Sequence, residues 1–227
     1  EAEENLSDSE VTKLTRDFAG SMQKEGALMT SYNEKLLKVL PPKKPEIPYE
    51  DAYNNYILGL GNANSVETLK ITSTEAANDM QVFETLKKAE AVFIAGGDQS
   101  NYLKFWEGTK VEEALQYLIH EKKIPIGGTS AGCAIMGEYV YTGENGSVIS
   151  TEALENPFDS KLTVRKSTLI NHPLLRNTIT DQHFSQRNRE GRLVTFMARI
   201  SAESTLPIRA IAVDEKTAVL IDSNGGI

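Results

Sequence analysis

Two short apolar runs, each ended by glycine and followed by a helical pattern, constrain the fold of this chain most strongly. Residues 91–95 read AVFIA and lead into Gly96 and Gly97, and residues 124–127 read IPIG and lead into GTSAG. Such short continuous apolar runs are typical of strands buried on both faces. A long amphipathic pattern separates them, and this alternation predicts a doubly wound, mostly parallel α/β sheet flanked by helices.

The rest of the chain is predicted to join this sheet in a single domain of residues 1–227, a length that can bury one core. Residues 1–48 are predicted to be a helical extension that ends in the Pro/Lys-rich run PPKKPEIP at 41–48. That run has two interpretations, a linker and a surface loop, and we favour the loop. Further predictions are one helix over 102–123, an Arg-rich helix over 184–200, and a hairpin of 210–214 with 218–222.

Composition excludes several classes of function. The formal net charge of −8 argues against nucleic acid as the main partner, and no apolar run is long enough to predict a membrane span. No group of residues has the spacing of metal ligands, and neither a P-loop nor a dinucleotide fingerprint is present, so we expect no metal and no cofactor. The single cysteine and the absence of a leader pattern fit both a cytoplasmic protein and one secreted after loss of a leader.

The run GTSAG at residues 128–132 matches G-x-S-x-G, the pattern of a nucleophile elbow. The pattern requires a sharp turn between a strand and a helix, which exposes the serine hydroxyl and needs small neighbours. A buried strand before the run and a helix after it are both predicted, so Ser130 is the candidate nucleophile. Cys133 lies about one helical turn further on, where a small buried packing residue is the favoured interpretation.

A serine nucleophile needs a general base, and the chain has three histidines. His120 precedes a charged run and is predicted to be on the surface, whereas His172 lies in a turn and fits either a structural or a catalytic role. His183 is favoured, because it stands among polar residues at the start of a predicted helix.

Three arginines, Arg187, Arg189 and Arg192, follow His183 closely. They fit a solvated basic face, but in an acidic chain we favour a cluster that binds substrate carboxylates. Gln99, at the end of AGGDQ, is a candidate to orient a substrate amide, and the glycines before it allow backbone amides to approach a ligand.

Four motifs occur in one order: AGGDQ (95–99), GGTSAGCAIM (127–136), DQHFSQRNREGRL (181–193) and IAVDEKTA (211–218). Together they resemble the serine peptidase family that contains cyanophycinase and aspartyl dipeptidase, over residues 49–222. The run DQHFSQRxRxGRL resembles the cyanophycinase branch specifically. The resemblance implies a fold akin to class I glutamine amidotransferases, with serine in place of cysteine at the elbow, and a homodimer. The helical segment at 1–48 is atypical for this family.

The resemblance also implies a catalytic triad of Ser130, His183 and Glu215. Asp181 is the alternative acid, but residues two apart at a helix start point apart, so we prefer Glu215. An oxyanion hole would come from the amides of Ala131 and of Gly97 or Asp98. The family's substrate cleft corresponds here to Gln99, Asp181, Gln182, Arg187, Arg189 and Arg192.

The implied reaction is hydrolysis of cyanophycin, a poly-aspartate that carries arginine on each β-carboxyl, to β-aspartyl-arginine dipeptides. Two alternatives stay open from the sequence. One is an isoaspartyl or aspartyl dipeptidase-like hydrolase that acts on short peptides. The other is a non-catalytic binding protein of the same fold.

Overall fold

The computed structural model describes residues 64–227, of which Leu69–Ile227 form one compact unit. The helices are α1 (Thr74–Ala77), α2 (Met80–Lys88), α3 (Gln99–Trp106), α4 (Lys110–Tyr117), α5 (Ala131–Ala134), α6 (Ser150–Glu155) and α7 (Glu190–Glu203). The strands are β1 (Val92–Ile94), β2 (Ile126–Gly128), β3 (Tyr139–Tyr141), β4 (Val164–Lys166), β5 (Thr178–Gln182) and β6 (Arg209–Val213). The predicted extension at 1–48 lies outside the described residues, so the single domain over 1–227 stays a prediction.

The strands of the described residues form two hydrogen-bonded groups. β1 pairs with β2 in parallel, and the other four strands are ordered β4-β3-β5-β6. β3 is parallel to β5 and β5 is parallel to β6, whereas β4 is antiparallel to β3. The prediction of a mixed α/β fold with mostly parallel strands is therefore confirmed for this part of the chain. Because parallel strands share a direction, the loops after β5 and β6 leave the sheet at the same edge.

Strand β3 is buried on both faces. Tyr139 and Tyr141 pack into one apolar cluster with residues of α7, including Phe196. Val140, which points the opposite way, packs into a second cluster with Leu115 of α4 and other residues. Helices therefore cover both sides of the sheet at this strand, which explains its wholly apolar and aromatic sequence, YVY.

The structure corrects the predicted helix over 102–123 and the predicted hairpin. The single helix over 102–123 is broken at Gly108, whose φ of 72° is left-handed, and α4 is followed by a π-helical turn at Leu118–Lys122. The hairpin of 210–214 with 218–222 is wrong, because β6 pairs in parallel with β5 and residues 218–222 contain no strand. Alternating apolar residues indicate a strand but do not identify its partner.

The turn between β2 and α5 depends on two glycines that allow unusually close packing. A Cβ added to Gly132 would lie 2.1 Å from the carbonyl oxygen of Ile94, and one added to Gly128 would lie 2.6 Å from the Gly132 carbonyl carbon. Thr129 donates its amide hydrogen to Ile94 at 3.0 Å, which joins this turn to the end of β1. The first turn of α5 therefore packs directly on backbone, with no side chain between.

We expect Gly132→Ala to lower the free energy of unfolding by about 1–3 kcal/mol or more, because its methyl group overlaps a fixed carbonyl. Gly127→Ala is the matched control, since its nearest new neighbour is Phe93 Cδ2 at 3.8 Å. Urea unfolding of both variants measures the difference. Equal midpoints for the two variants would contradict the packing argument.

Candidate active site

Ser130 lies in a sharp backbone turn at the end of β2. Its φ of 50° and ψ of −114° form a combination that residues with a side chain rarely adopt, and α5 begins at the next residue. A strained conformation of this kind costs about 1–3 kcal/mol and persists only where the surrounding packing holds it. The backbone packing at Gly128 and Gly132 supplies that hold. Ser130 itself is partly exposed.

His183 follows the last residue of β5 and reaches Ser130. Its Nε2 lies 2.9 Å from Ser130 Oγ. His183 also has a positive φ, 48°, so the chain turns abruptly where the strand ends. The two residues belong to different strand groups and are 53 positions apart in the chain.

Glu215 comes from the loop after β6 and contacts the other side of the imidazole. Its Oε1 lies 2.8 Å from His183 Nδ1. An ionised carboxylate only accepts hydrogen bonds, so Nδ1 carries the proton and the lone pair of Nε2 faces the serine hydroxyl. This is the tautomer in which the imidazole can take a proton from Ser130. The carboxylate of Asp181, the alternative acid, is bound by Arg192 instead.

The loop after β1 lies against Ser130. A Cβ added to Gly96 would lie 3.2 Å from Ser130 Cβ and 3.7 Å from its Oγ, so the absence of a side chain there keeps the hydroxyl accessible. The Tyr102 hydroxyl lies 2.9 Å from the carbonyl oxygen of Ala95 and 3.0 Å from that of Gly96, which anchors this loop. The sequence predicted that Gly96 lets backbone approach a ligand, but neither its closeness to Ser130 nor the anchoring role of Tyr102 has a local signature.

The backbone amides predicted to form an oxyanion hole belong to this loop and to the turn after Ser130. Within residues 64–227, none of the hydrogen bonds uses the amide of Gly97, Asp98 or Ala131 as donor. Gly97 has a φ of 140°, which turns the chain before α3, and the Asp98 carboxylate caps that helix by accepting from the amide of Ser100 at 2.9 Å. Among the described residues the N–H groups of these three residues have no acceptor, so they can donate to a ligand.

Cys133 lies within α5, away from the turn. Burial and the negative charge of Asp181 raise the pKa of its thiol to about 11, so the thiol stays protonated at neutral pH. Thr180 Oγ1 donates to its carbonyl oxygen at 2.6 Å, which ties α5 to β5. Cys133 is partly exposed rather than fully buried, and its carbonyl contact fits the packing role expected for it.

The other two histidines have local structural contacts. His172 caps the 3₁₀ turn Pro173–Leu175, where its Nδ1 accepts from the Leu174 amide at 3.2 Å. Burial, with a smaller contribution from His120, lowers its pKa below the ordinary value. His120 lies 3.0 Å from Gln116 Oε1 on an exposed helix surface.

Four of the six predicted substrate-binding residues form a buried network with one another. Arg192 Nε donates to Asp181 Oδ2 at 2.8 Å, and the guanidinium also binds Asp181 Oδ1. Arg189 donates to the Gln182 carbonyl oxygen at 2.6 Å and to its side-chain oxygen. All four residues are less than 10% exposed. Burial and the nearby Arg192 charge lower the pKa of Arg189 to about 10.

This network includes the two residues directly before His183 and holds the end of β5. The Arg192 guanidinium also stacks over the rings of Tyr141 and Phe196, at 5.1 and 5.7 Å from their centroids. The polar groups of these four residues already bind one another. Direct contact of these residues with a substrate stays a prediction.

Arg187 and Gln99 are the predicted substrate-binding residues that reach solvent. Arg187 is exposed, and its side chain forms no hydrogen bond or ion pair within residues 64–227. The helix predicted over 184–200 begins only at Glu190. Arg187 lies before it, in the 3₁₀ turn Ser185–Arg187. Gln99 is partly exposed, and its Nε2 donates to the Tyr141 carbonyl oxygen at 3.3 Å.

Comparison with known proteins identifies the family. A model of peptidase family S51 matches residues 48–226. The chain belongs to peptidase family S51. The family assignment agrees with the resemblance drawn from the four sequence motifs.

Several relatives of the chain are cyanophycinases. Those of Trichormus variabilis and of a Nostoc species are each 32% identical to it over 164 residues, which cover 72% of this chain and 49% of theirs. That of Geminocystis herdmanii is 27% identical over 175 residues, covering 77% and 58%. The chain thus spans about half the length of the curated relatives it matches. A crystal structure of a peptidase from an acI-B1 Actinobacterium covers 74% of this chain and 63% of its own, with 17% identity and a TM-score of 0.46.

The described range contains neither a cluster of metal-ligating side chains nor a membrane-spanning helix. No group of three histidine, cysteine, aspartate or glutamate side chains in residues 64–227 is placed to hold a metal ion. None of the helices in that range is both long and apolar enough to span a bilayer.

We expect His172 to make stability pH-dependent. Because its pKa is lowered on folding, the unfolded chain takes up the proton first as pH falls below about 6.5, so unfolding becomes easier. The effect is absent above that pH, levels off below the folded pKa, and has a slope of at most about 1.4 kcal/mol per pH unit.

Urea unfolding at pH 8 and pH 5.5 tests this with His172→Asn, whose side-chain oxygen can still cap the turn. The variant should lose less stability than the wild type between the two pH values. His120→Gln is the control and should have a smaller effect, since burial is the larger cause. An unchanged pH dependence in His172→Asn would contradict the assignment.

We expect Asp181→Ala to lower the free energy of unfolding by about 3–5 kcal/mol, because it leaves the buried Arg192 charge without its partner. Glu113→Ala breaks the exposed Lys110–Glu113 pair and should cost less than about 1 kcal/mol. Combining Asp181→Ala with Arg192→Met should recover part of the loss. Denaturant unfolding measures all three, and a small loss in Asp181→Ala would favour the substrate-contact interpretation.

Proposed function

We propose that this protein is a serine-type peptidase in which Ser130 is the nucleophile, His183 the general base and Glu215 the residue that orients the base. The observation that carries the proposal is a continuous path of two hydrogen bonds. Ser130 Oγ lies 2.9 Å from His183 Nε2, and His183 Nδ1 lies 2.8 Å from Glu215. Nucleophile, base and orienting acid within hydrogen-bond reach are the geometric signature of covalent catalysis by serine.

Acylation follows from this geometry. Ser130 Oγ attacks the carbonyl carbon of the scissile bond while its proton passes to His183 Nε2. Glu215 stabilises the imidazolium that forms and holds the ring in place. The imidazolium then gives the proton to the leaving amine, and a water molecule activated by the same base hydrolyses the acyl-enzyme.

The negative charge that develops on the substrate oxygen needs hydrogen-bond donors. We assign this role to the amide of Ala131 and to that of Gly97 or Asp98, whose hydrogens have no partner among the described residues. Donors fixed in the backbone stabilise such a charge without reorganisation during the reaction. Gly96 contributes by leaving space beside Ser130 Oγ.

The same proposal includes the finer features of the fold. The positive φ of Ser130 and the backbone packing of its two flanking glycines support a nucleophile elbow. Parallel strands whose carboxyl ends carry the site support a doubly wound sheet of the class I glutamine amidotransferase type. The homodimer implied by the family resemblance stays a prediction.

We propose cyanophycin as the substrate and β-aspartyl-arginine dipeptides as the product. Support comes from the curated relatives, whose names describe them as cyanophycinases, and from the exposed cation beside the triad. We assign Arg187, which is exposed four residues after His183, to pair with a carboxylate of the polymer. The buried arginines would then support the strand end rather than contact the polymer.

We expect Ser130→Ala to lower the rate of cyanophycin hydrolysis by roughly 10⁴- to 10⁶-fold, because it removes the nucleophile. Cys133→Ala is the matched control and should keep most of the activity, since the thiol is protonated and lies off the turn. The measurement is release of β-aspartyl-arginine from purified polymer.

The outcomes separate the alternatives left open by the sequence. Cleavage of isoaspartyl or aspartyl dipeptides without polymer degradation would show that short peptides, and not the polymer, are the substrate. Failure of a fluorophosphonate to label Ser130, together with no hydrolysis, would favour a non-catalytic binding protein. A loss of activity in Cys133→Ala as large as that in Ser130→Ala would contradict the assigned nucleophile.

A further inference from the structure

The orienting acid of the proposed triad is not held by burial. The Glu215 side chain is 44% exposed and that of His183 is 22% exposed. Both residues lie beyond the strand register, which ends where Gln182 pairs with Val213. An exposed carboxylate on a loop has many rotamers, so another constraint is needed to keep it against the imidazole.

Such a constraint exists between the two loops. The Asp214 carboxylate accepts two hydrogen bonds from Ser185: from its amide to Oδ1 at 2.8 Å and from its hydroxyl to Oδ2 at 3.0 Å. Gln186 Oε1 accepts from the amide of Glu215 at 2.9 Å. We call these three hydrogen bonds the loop clamp.

The loop clamp extends the β5–β6 pairing past the point where the backbone can continue it. Phe184 donates its amide hydrogen to the Val213 carbonyl oxygen at 3.3 Å, and the next two residues of each loop are joined by side chains. Within its own loop, the Asp214 carbonyl oxygen accepts from the amide and the hydroxyl of Thr217. The loop carrying the acid is therefore fixed to the loop carrying the base.

Backbone conformation indicates that both loops need to be held. His183, one partner of the His183–Glu215 contact, has a φ of 48°, and Lys216, which follows the other partner, has a φ of 61°. Strained residues persist where the surrounding structure determines their position. The clamp residues Ser185, Gln186 and Asp214 lie between these two strained positions.

We propose that Asp214 and Gln186 are positioning residues of this site, which hold Glu215 against His183 Nδ1 through the loop clamp. The proposal rests on the proposed function, since it assigns these residues a role within that triad. Neither side chain touches Ser130 among the described contacts, and both act through Glu215 and its loop.

The test uses variants that remove the clamp and variants that rebuild it. Asp214→Ala and Gln186→Met remove the acceptors. Asp214→Asn keeps an oxygen for the Ser185 amide and can donate to its hydroxyl, so it separates hydrogen bonding from charge. Asp79→Ala is the matched control, because Asp79 also accepts two backbone hydrogen bonds but contacts no residue of the site.

The primary measurement is the rate at which diisopropyl fluorophosphate labels Ser130, with kcat and KM for cyanophycin measured in parallel. We expect Asp214→Ala and Gln186→Met to lower the labelling rate and kcat by about 10- to 100-fold, with KM unchanged, because a small displacement of a catalytic group has effects of this size. Asp214→Asn should retain most of the activity, and Asp79→Ala should label at the wild-type rate.

A double-variant cycle distinguishes positioning from general support of the fold. If the clamp acts through Glu215, then Asp214→Ala should cost little further activity in a protein that already carries Glu215→Gln. If the clamp only supports the fold, the activity losses of Asp214→Ala and Glu215→Gln should multiply in the double variant. Thermal unfolding of each variant shows whether it is folded, and Gln186→Met, which removes one exposed hydrogen bond, keeps the test decisive if Asp214→Ala unfolds.

The outcomes separate this inference from the proposed function. If the wild type is labelled but does not hydrolyse the polymer, cyanophycin is not its substrate. The labelling rates of the variants then still test the loop clamp. Wild-type labelling with equal rates in Asp214→Ala and Gln186→Met would overturn the clamp alone, as would multiplicative losses in the double variant. Absence of both labelling and hydrolysis in the wild type would overturn the proposed function and the clamp with it.

Discussion

The structure depends on one close approach, that of the first turn of α5 to the ends of β1 and β2. Because Gly128 and Gly132 lack side chains, backbone lies on backbone there. This contact holds the turn in which Ser130 has its unusual φ and ψ. The other groups of the site are placed relative to that point by the parallel strands β5 and β6.

The sequence predicted those parts of the molecule that depend on local pattern. Glycine-ended apolar runs indicated β1 and β2, and small residues around Ser130 indicated the turn, because both features require particular residues at particular positions. His183 was favoured from its polar surroundings, whereas Glu215 came from the family resemblance. No local rule joins residues 32 positions apart, so their 2.8 Å contact required the fold.

Other features escaped prediction because they depend on distant partners. The strand β6 carries an apolar pattern that fits a hairpin equally well, and only its docking on β5 selects the parallel pairing. The arginines after His183 form a basic cluster in the sequence, yet Arg192 lies buried against Asp181 and Tyr141. A charged residue has the same sequence signal whether solvent or a buried carboxylate surrounds it, so their separation into Arg187 outside and Arg189 and Arg192 inside emerges only from packing.

The positive φ angles of Ser130 and His183 place stability and chemistry in opposition at these two positions. Glycine adopts such angles without the steric penalty that a Cβ imposes, which is of order 1 kcal/mol. A substitution to glycine at either position would therefore relieve strain while it removes a group of the proposed triad. Selection of variants for thermal stability alone would therefore act against the serine and the histidine of the proposed site.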